Sequence, residues 1–485
     1  MAPNSTDRYM NKKLAILFVV LLGQLHAQTV NDYFEKIRTN NANLTAFFSQ
    51  MPKGGDLHHH YSGSVYAETY IKYAVDNGFF LNLRTLEIRE TAPDTSKWVS
   101  FSKLEKKGRL SVYKQRLLEK WSIKDFQQTE DASDKHFFET FLNFYAVTAK
   151  SNSIGLVEIK KRAKIENVSY IETIFESIQS KIGLHELLPY KDSLRKYQEQ
   201  KNSALTQKTL NKLYSSLKNK HIADSAKKYN AYLTKLHTDL AIDDSTFVMR
   251  YQNYVLRNTT DALEFFKNLL VAFESASKSP LIVGVNIVAP ENEEASMSEY
   301  WLHMQMFSFC HEKYPSVKYS LHAGELALGQ VKPEELSWHI QSAVYDGKAN
   351  RIGHGVDMPY ENHCYSLLKY MSEKKIAVEI NLFSNEFILK VKGDDHPVML
   401  YKQFNVPIVI CSDDAGVLRS NLTNQYVLLA SRYKEMKYAD IKNFVFNSIE
   451  YSFIEEPELK QKMLKDLERK FGAFEAEVLS TNKTN

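Results

Sequence analysis

The stretch Gly55-Asp56-Leu57-His58-His59-His60 is a short β-type run that ends in three histidines, and it begins a series of similar runs. The sequence predicts seven further strands, at Val168 to Phe175, Phe247 to Leu256, Leu281 to Val288, Val317 to His322, Asn350 to His354, Ile376 to Leu382 and Val406 to Ser412. Amphipathic helical segments lie between most of them, for example Pro333 to Tyr345. Eight repeats of strand and helix predict an α/β fold, specifically a closed (β/α)8 TIM barrel.

The alternative α/β architecture is an open, doubly wound sheet. Such a sheet normally carries a glycine-rich turn that binds phosphate. The sequence contains neither G-x-G-x-x-G nor G-x-x-x-x-G-K-[ST], and this favours the barrel.

We assign the barrel to residues 51–475. Two stretches of the chain are additional to a minimal barrel. Residues 28–50 predict an N-terminal helical lead-in whose apolar side chains would cover the barrel or a partner subunit, so a homodimer through these helices is one expectation. Residues 183–240, after the second strand, predict a Lys-rich helical insertion with one buried face. A surface for an anionic ligand is the alternative reading of this insertion.

Overall charge argues against a nucleic-acid partner. The 485 residues include 62 Lys and Arg against 58 Asp and Glu, a net charge of +4, which is too balanced for a surface that tracks phosphates. The H-x-E and P-C-x-x-C signature of the zinc deaminases that act on polynucleotides is also missing.

Residues 1–27 have the pattern of a secretory signal peptide. Lys12 and Lys13 precede the apolar run Leu14 to Leu22, and Ala27 offers a small residue before a cleavage site. The run is shorter than the ~20 residues needed to cross a bilayer. The sequence therefore predicts a secreted or periplasmic protein that is free of the membrane once the signal peptide is removed.

Histidines and carboxylates recur where the predicted strands end, which is where barrel proteins place their functional sites. His58 and His60 are two residues apart, so both face one side of the first strand while His59 faces the other. The fifth, sixth and eighth strands end in His322-Ala323-Gly324-Glu325, Gly353-His354-Gly355 and Ser412-Asp413-Asp414-Ala415-Gly416. Four such strand ends favour one shared site over four unrelated polar residues.

Three imidazoles and one carboxylate form a ligand set that suits one Zn²⁺ per chain, with Fe²⁺, Co²⁺ or Mn²⁺ as less suitable occupants. A metal site with one open position becomes hydrolytic, because Zn²⁺ lowers the pKa of water from about 15.7 to roughly 7. His354 and Glu325 are the candidates that remain free for proton transfer.

These motifs, in this order, resemble those of the adenosine deaminase family of metal-dependent amidohydrolases. The resemblance runs from about Met51 to Phe471. It includes the C-terminal stretch Asn447-Ser448-Ile449-Glu450-Tyr451-Ser452-Phe453. The signal peptide, the lead-in and residues 117–126 are similar to the secreted adenosine deaminase-related growth factor branch.

The resemblance implies a role for each candidate residue. The metal ligands would be His58, His60, His322 and Asp413. Glu325 would give a proton to purine N1, and His354 would orient or deprotonate the water that attacks C6. Asp414 would accept a hydrogen bond at purine N7. Loss of ammonia would then convert adenosine to inosine.

Three positions depart from the family pattern. Ser62, two residues after His60, stands where relatives often have an Asp that contacts ribose, and Ser62 and His60 are the substrate-binding candidates at the sugar end of the site. Ala289, in Asn286-Ile287-Val288-Ala289, replaces a glycine whose N–H meets purine N3. The segment Phe383-Ser384-Asn385 also differs from many relatives, and the sequence assigns it no role.

The expected function is therefore an exported, zinc-dependent hydrolase of C–N bonds in cyclic amidines that acts on adenosine and 2′-deoxyadenosine, a purine nucleoside being its small-molecule partner. Because the sugar contacts depart from the family, deamination of methylthioadenosine, AMP or another 6-aminopurine is an alternative. A secreted growth-factor-like binding protein on the same barrel is an alternative of another class.

Overall fold

The computed structural model describes residues 30–92, 96–128 and 132–482, so the predicted signal peptide at residues 1–27 lies outside the described part of the chain. The strands of the described residues are β1 (Gly54–His60), β2 (Phe80–Asn82), β3 (Ile88–Arg89), β4 (Trp98–Ser100), β5 (Val168–Glu176), β6 (Val248–Leu256), β7 (Ile282–Val288), β8 (Lys318–Ala323), β9 (Arg351–His354), β10 (Ala377–Ile380) and β11 (Ile408–Ile410).

Eight of these strands form one parallel sheet in the order β1, β5, β6, β7, β8, β9, β10, β11. The sheet closes through the residues that follow β11: the Asp413 N–H donates to the His58 carbonyl at 2.9 Å, and the His60 N–H donates to the Asp413 carbonyl at 3.3 Å. An isolated parallel bridge between His59 and Asp413 records the same closure. The barrel is therefore closed by the two segments that carry candidate metal ligands.

The eight predicted strands are confirmed, each within a few residues of its expected bounds. The last one is shorter than expected, because the chain leaves β11 before Ser412 in order to reach β1. The helix predicted from Pro333 to Tyr345 is interrupted at Trp338, where a 3-10 turn (Pro333–Ser337) gives way to an α-helix (His339–Tyr345).

Helices surround the barrel. A helix over residues 30–37 comes first. The others longer than five residues are Asn41–Gln50, Ala67–Asp76, Phe101–Lys106, Leu110–Lys120, Ser133–Thr148, Asn152–Ile165, Pro189–Glu199, Ser203–Asn219, Ile222–Asp239, Ala262–Ala276, Glu294–Lys313, His339–Tyr345, Cys364–Lys374, Val398–Gln403, Leu422–Arg432, Tyr438–Glu450 and Pro457–Asn482. Short helical turns lie at Tyr61–Ser64, Ala149–Ser151, His185–Leu187, Pro333–Ser337, Met358–Tyr360, Leu382–Ser384, Asn385–Leu389 and Gly393–Asp395.

The lead-in helices pack on the C-terminal part of their own chain. Phe47 meets Phe474 with ring centroids 5.0 Å apart, and Phe48 stacks on Tyr426 at 5.8 Å. The apolar side chains that defined the lead-in are thus buried within one chain. A homodimer through these helices stays a prediction.

The insertion after the second barrel strand is helical, as the sequence predicts, and lies against the outer helices of the barrel. Leu210, Leu213 and Leu217 line its buried face. Gln207 Nε2 donates to the Gln305 carbonyl at 2.8 Å, which ties the insertion to the helix Glu294–Lys313. An anionic-ligand role for its lysines stays a prediction.

A second, three-stranded sheet of β3, β2 and β4 was not expected. Its strands have two or three residues each, too few to show a period of two in sequence. Within the described ranges, no helix combines the length and the apolar character needed to cross a membrane.

Candidate active site

The four predicted metal ligands meet at the C-terminal mouth of the barrel. His60 Nε2 lies 3.0 Å from His322 Nε2 and 3.6 Å from Asp413 Oδ1. His58 Nε2 lies 3.8 Å from the same Asp413 oxygen. His58, His322 and Asp413 are buried, and only the His60 side chain keeps some exposure, at 18%.

The arrangement fits a bound metal ion. His58 Nε2 is buried and has no hydrogen-bond partner among the described residues, although a buried ring nitrogen normally has one. Ligand atoms of His58, His60 and Asp413 lie within 4.8 Å of one another, as do those of His58, His322 and His354. Nitrogen and carboxylate donors converging on one point are the donors that zinc prefers.

The hydrogen bonds of His58 and His322 present a lone pair toward this point. His58 Nδ1 lies 2.7 Å from a Glu379 oxygen, so the ring carries its proton on Nδ1 and leaves Nε2 free. His322 Nδ1 lies 2.8 Å from Asn286 Oδ1, which also accepts the Ile287 N–H at 2.8 Å and is thereby fixed as an acceptor. Both rings therefore have the tautomer that a metal ligand requires.

A buried ionic network lies beneath these two histidines. Burial opposes ionisation of Glu379, but the Arg351 guanidinium and the bond to His58 lower the pKa of this carboxyl to about 2. Arg351 Nε donates to Glu379 at 2.5 Å, and its NH2 group donates to Glu172 at 2.6 Å. Gln252 connects Glu172 to Asn286, with bonds of 3.1 and 3.0 Å. The network thus joins the supports of His58 and His322.

The C-terminal motif of residues 447–453 contacts the other side of this network. The Phe453 N–H donates to Glu172 at 2.5 Å, and Arg351 NH1 donates to the Tyr451 carbonyl at 2.8 Å. The Arg351 guanidinium also stacks 3.5 Å from the centre of the Phe453 ring. This motif therefore positions the network and does not contact the metal ligands directly.

Glu325 has the environment of a proton donor. Burial, reinforced by the charges of Asp413 and Glu291, raises the pKa of Glu325 well above its usual range, which favours the protonated carboxyl. Its Oε1 lies 3.5 Å from His354 Nδ1, and its side chain is 9% exposed. Ligand atoms of Glu325, His354 and Asp413 lie within 4.8 Å of one another. The site therefore has a carboxyl with a raised pKa beside its candidate ligands.

Glu291 fixes the loop that carries Glu325, and the sequence did not reveal it. Its carboxylate accepts the N–H groups of Gly324 at 3.2 Å and Glu325 at 2.9 Å. It also bonds His339 Nδ1 at 2.6 Å. Glu291 belongs to the acidic run of residues 291–294, which reads as a solvated turn.

The backbone is strained where three strands end. His354, Asp413 and Ala289 have φ values of 66°, 60° and 90°, in the left-handed region that favours glycine. Such conformations cost on the order of 1–3 kcal/mol each and collect at functional sites. Ala289 thus keeps the backbone form that a glycine adopts easily, while adding a methyl group.

Asp414 is buried behind the candidate ligands, with Oδ1 lacking a hydrogen-bond partner among the described residues. Burial, with the adjacent Asp413 charge, raises the pKa of Asp414 well above its usual range. In its protonated form Asp414 would donate a hydrogen bond, whereas the sequence leads us to expect that it accepts one. Gly63 makes room for it, since a Cβ on Gly63 would lie 1.7 Å from Asp414 Oδ1.

Ser62 and Asn385 are the remaining positions of interest. Ser62 follows β1 in the turn Tyr61–Ser64, and its carbonyl accepts a bond from Tyr70 at 2.9 Å. Asn385, which has no role assigned from the sequence, places its amide Nδ2 3.0 Å from His354 Nδ1.

Comparisons with known proteins agree with this architecture. Residues 241–470 match the family model "Adenosine deaminase". The chain is 30% identical over 148 residues to an adenosine deaminase of Clostridium perfringens strain 13, covering 30% of this chain and 40% of that protein. It is 29% identical over 137 residues to an aminodeoxyfutalosine deaminase of Streptomyces coelicolor, covering 28% of this chain and 32% of the relative. The matched region thus spans about 40% or less of the length of these two curated relatives.

Solved structures share the fold. Adenine deaminase from Arthrobacter aurescens superposes with a TM-score of 0.52 at 16% identity, over 86% of this chain and 98% of that one. The Arabidopsis N6-mAMP deaminase gives 0.55 at 17%, over 87% and 99%. An amidohydrolase from Burkholderia ambifaria with bound Zn gives 0.52 at 15%, over 90% and 94%. The family-model match over residues 241–470 and the curated relatives make this chain similar to the adenosine deaminase family, and the solved structures show that it shares their barrel fold.

Proposed function

We propose that this protein is an exported, zinc-dependent adenosine deaminase that hydrolyses the C6–N bond of adenosine and 2′-deoxyadenosine, giving inosine or deoxyinosine and ammonia. The observation that carries the proposal is the meeting of His58, His60, His322 and Asp413 beside a protonated Glu325. Hydrolytic deamination needs both a metal site that activates water and a proton donor, because the aromatic ring resists attack until a ring nitrogen is protonated.

The metal would be held by three imidazole nitrogens and the Asp413 carboxylate. Bound zinc would act as a Lewis acid that lowers the pKa of water to roughly 7. His58 and His322 suit this role because Glu379 and Asn286 hold their protons on Nδ1. A zinc-containing amidohydrolase among the structures of the same fold is compatible with the choice of metal.

Glu325 would deliver the proton that activates the ring. Its raised pKa keeps the carboxyl protonated until purine N1, which carries a lone pair, lies in reach. Protonation of N1 draws electron density from C6 and opens that carbon to water. The fixed loop supports this role, because Glu291 holds the backbone N–H groups of Gly324 and Glu325.

Asp414 would hold the purine by donating to N7, since N7 of adenine is an acceptor. The raised pKa of Asp414 supports this direction of donation. The Ala289 N–H would face N3 from a left-handed backbone position. Two ring contacts from different strands would fix C6 relative to Glu325.

The residues at the sugar end of the site differ from the family pattern more than the metal ligands do. Ser62 offers a neutral hydroxyl where relatives often have a carboxylate, so a ribose contact would be worth about 1 kcal/mol rather than 1.5–3. Neither Tyr61 nor Ser62 supplies the cation that a 5′-phosphate favours, which argues for a nucleoside over AMP. This departure makes another 6-aminopurine nucleoside, such as methylthioadenosine, the second candidate substrate.

Export rests on residues 1–27, whose basic start and short apolar run are typical of a signal peptide. A secreted binding protein on the same barrel would share that signal. It would not need a buried, protonated Glu325 beside a metal site, and this favours the enzyme. Sequencing the N-terminus of protein collected from the periplasm or medium tests the export, with Gln28 as the expected first residue.

An ultraviolet assay across adenosine, 2′-deoxyadenosine, 5′-methylthioadenosine, AMP and adenine tests the reaction, with metal content measured on the same sample. We expect conversion of adenosine and deoxyadenosine, about one zinc per chain, and loss of activity after chelation that zinc restores. The control is the variant His303→Gln, which changes a buried histidine away from the site and whose activity and zinc content are measured in the same way. Full activity in metal-free protein, or no conversion of any purine by the zinc-loaded protein, would reject the proposal.

A further inference from the structure

His354 lies at the end of a chain of hydrogen bonds that begins at a backbone amide. The Val398 N–H donates to His396 Nδ1 at 3.2 Å. His396 Nε2 lies 3.0 Å from Asn385 Oδ1, and Asn385 Nδ2 lies 3.0 Å from His354 Nδ1. The three side chains are buried, so no solvent competes for these bonds.

The first bond fixes the direction of all the others. A backbone N–H can only donate, so His396 Nδ1 accepts and carries no proton. Burial, with the nearby Arg432 charge, lowers the pKa of His396 to about 3, so the ring is neutral and its one proton is on Nε2. That proton is donated to Asn385 Oδ1, which turns the amide NH₂ toward His354 Nδ1.

A second amide supports the same assignment. Asn381 Nδ2 approaches His354 Nδ1 at 3.4 Å, so two NH₂ groups face this one nitrogen. An atom that receives two donors presents a lone pair. The proton of neutral His354 is therefore on Nε2.

This tautomer is the opposite of that in the candidate ligand rings. A Glu379 carboxylate and the Asn286 oxygen hold protons on Nδ1 of His58 and His322, which leaves Nε2 free. His354 lies in the same group of buried imidazoles, but its Nδ1 faces two amide NH₂ groups, and the nearest carboxyl oxygen, Glu325 Oε1, lies farther away at 3.5 Å. The partner of Nδ1 therefore decides which tautomer each of these histidines adopts.

We propose that Asn385 and His396 are positioning residues that hold His354 with its proton on Nε2, so that His354 donates a hydrogen bond to the attacking water and does not take its proton. The catalytic part of this inference rests on the proposed deamination. The tautomer itself does not.

The proton of the water then needs another acceptor, and Glu325 is within reach. Glu325 first gives its proton to N1, and the O–C6 bond forms as the resulting carboxylate accepts a proton from water. Glu325 passes that proton to the amine, and the C6–N bond breaks with release of ammonia. The C6 hydroxyl returns its proton to Glu325, which leaves the carbonyl of inosine and a protonated Glu325.

Nitrogen NMR on protein labelled with ¹⁵N-histidine tests the tautomer directly. The signals of His354 and His396 are assigned from His354→Gln and His396→Gln. In metal-free and zinc-loaded protein, we expect both rings to show an unprotonated Nδ1 and a protonated Nε2. A proton on Nδ1 of His354 in the zinc-loaded protein would overturn the proposal. If the tautomer is as expected but no purine is converted, the proposed function fails and the positioning stands.

Kinetics of Asn385→Asp test the consequence. The new carboxylate has nearly the same shape but accepts from Nδ1, which forces the opposite tautomer. We expect kcat to fall about 100-fold while KM and zinc content stay within a few-fold of the parent. Asn253→Asp is the matched control, since Asn253 is equally buried and bonds Ser275 Oγ at 3.0 Å on the outside of β6. An Asn385→Asp protein that folds, keeps its zinc and keeps its kcat would contradict the proposal.

Discussion

His58 Nδ1 and a carboxylate oxygen of Glu379 lie 2.7 Å apart, with both side chains wholly buried. The pair joins a candidate metal ligand to the ionic network beneath the site, because Glu379 also accepts hydrogen bonds from Arg351 Nε and Ser320 Oγ. Orientation of His58 therefore depends on a residue that does not itself reach the metal position.

Replacing that carboxylate weakens metal binding. In Glu379→Gln the His58 ring loses its charged partner, so we expect zinc affinity to fall about 10- to 100-fold, measured by competition with a chelator. Glu361→Gln is the control, because Glu361 is a buried carboxyl that accepts the Ile340 and Gln341 N–H groups. Unchanged zinc affinity in a folded Glu379→Gln protein would disprove the orienting role.

Glu325→Gln separates proton donation from binding. The amide has almost the same volume but cannot give up a proton to N1, so kcat for adenosine is expected to fall about 10²- to 10⁴-fold. Binding of inosine, measured by calorimetry, should change little because the other ring contacts remain. A Glu325→Gln protein with the kcat of the parent would remove Glu325 as the donor.

Ala289→Gly is expected to stabilise the protein. Glycine adopts the φ of 90° without steric cost, so the free energy of unfolding should rise by about 1 kcal/mol in urea titrations. Ala231→Gly, at an exposed position inside the helix Ile222–Asp239, should lower it by about the same amount. A lower stability of Ala289→Gly would show that the methyl group makes favourable contacts.

Acid is expected to destabilise the fold through His303, a buried histidine away from the candidate metal site. Burial, with the charge of Arg257, lowers the pKa of His303 to about 3, whereas an unfolded histidine titrates near 6.5. Between these values the unfolded state binds more protons, so stability is present above about pH 6.5 and is lost as the pH falls toward 3.

The size of this effect can be measured with His303→Phe, because His303 already stacks on Phe265 with centroids 3.8 Å apart. We expect the slope of unfolding free energy against pH to decrease by up to about 1.4 kcal/mol per pH unit within the window. His221→Gln is the control, with a side chain that is 79% exposed. Equal slopes in His303→Phe and the parent would refute the assignment.

The barrel could be predicted because most of its strands are short runs of apolar and β-branched residues, and the site because its residues lie at or just after the ends of the strands. His58 and His60 share a face by the simple alternation of a strand. The second sheet was missed because its strands are too short for any period to show. Closure between His59 and Asp413 also lay beyond the sequence, since it depends on strand tilt and stagger.

The supporting residues were harder to find because each partner is distant along the chain. Glu379 is the one carboxylate of the apolar strand β10, and Glu172 lies in the middle of β5; such a position indicates a buried partner but does not name Arg351. Asn385 and His396 lie in an irregular segment with no periodic pattern. Their connection to His354 exists only once the strands have assembled.

The bridge between His59 and Asp413 closes the barrel at the candidate metal site, so this site joins the first and the last barrel strands. The earliest and the latest strands of the barrel must both be synthesised before the four donors can meet. A nascent chain that still lacks the segment after β11 therefore offers an incomplete set of donors, and a metal ion would bind to all four donors only after translation of the barrel is nearly finished. An occupied centre would then hold the first and last strands together and oppose the opening of the ring at its seam.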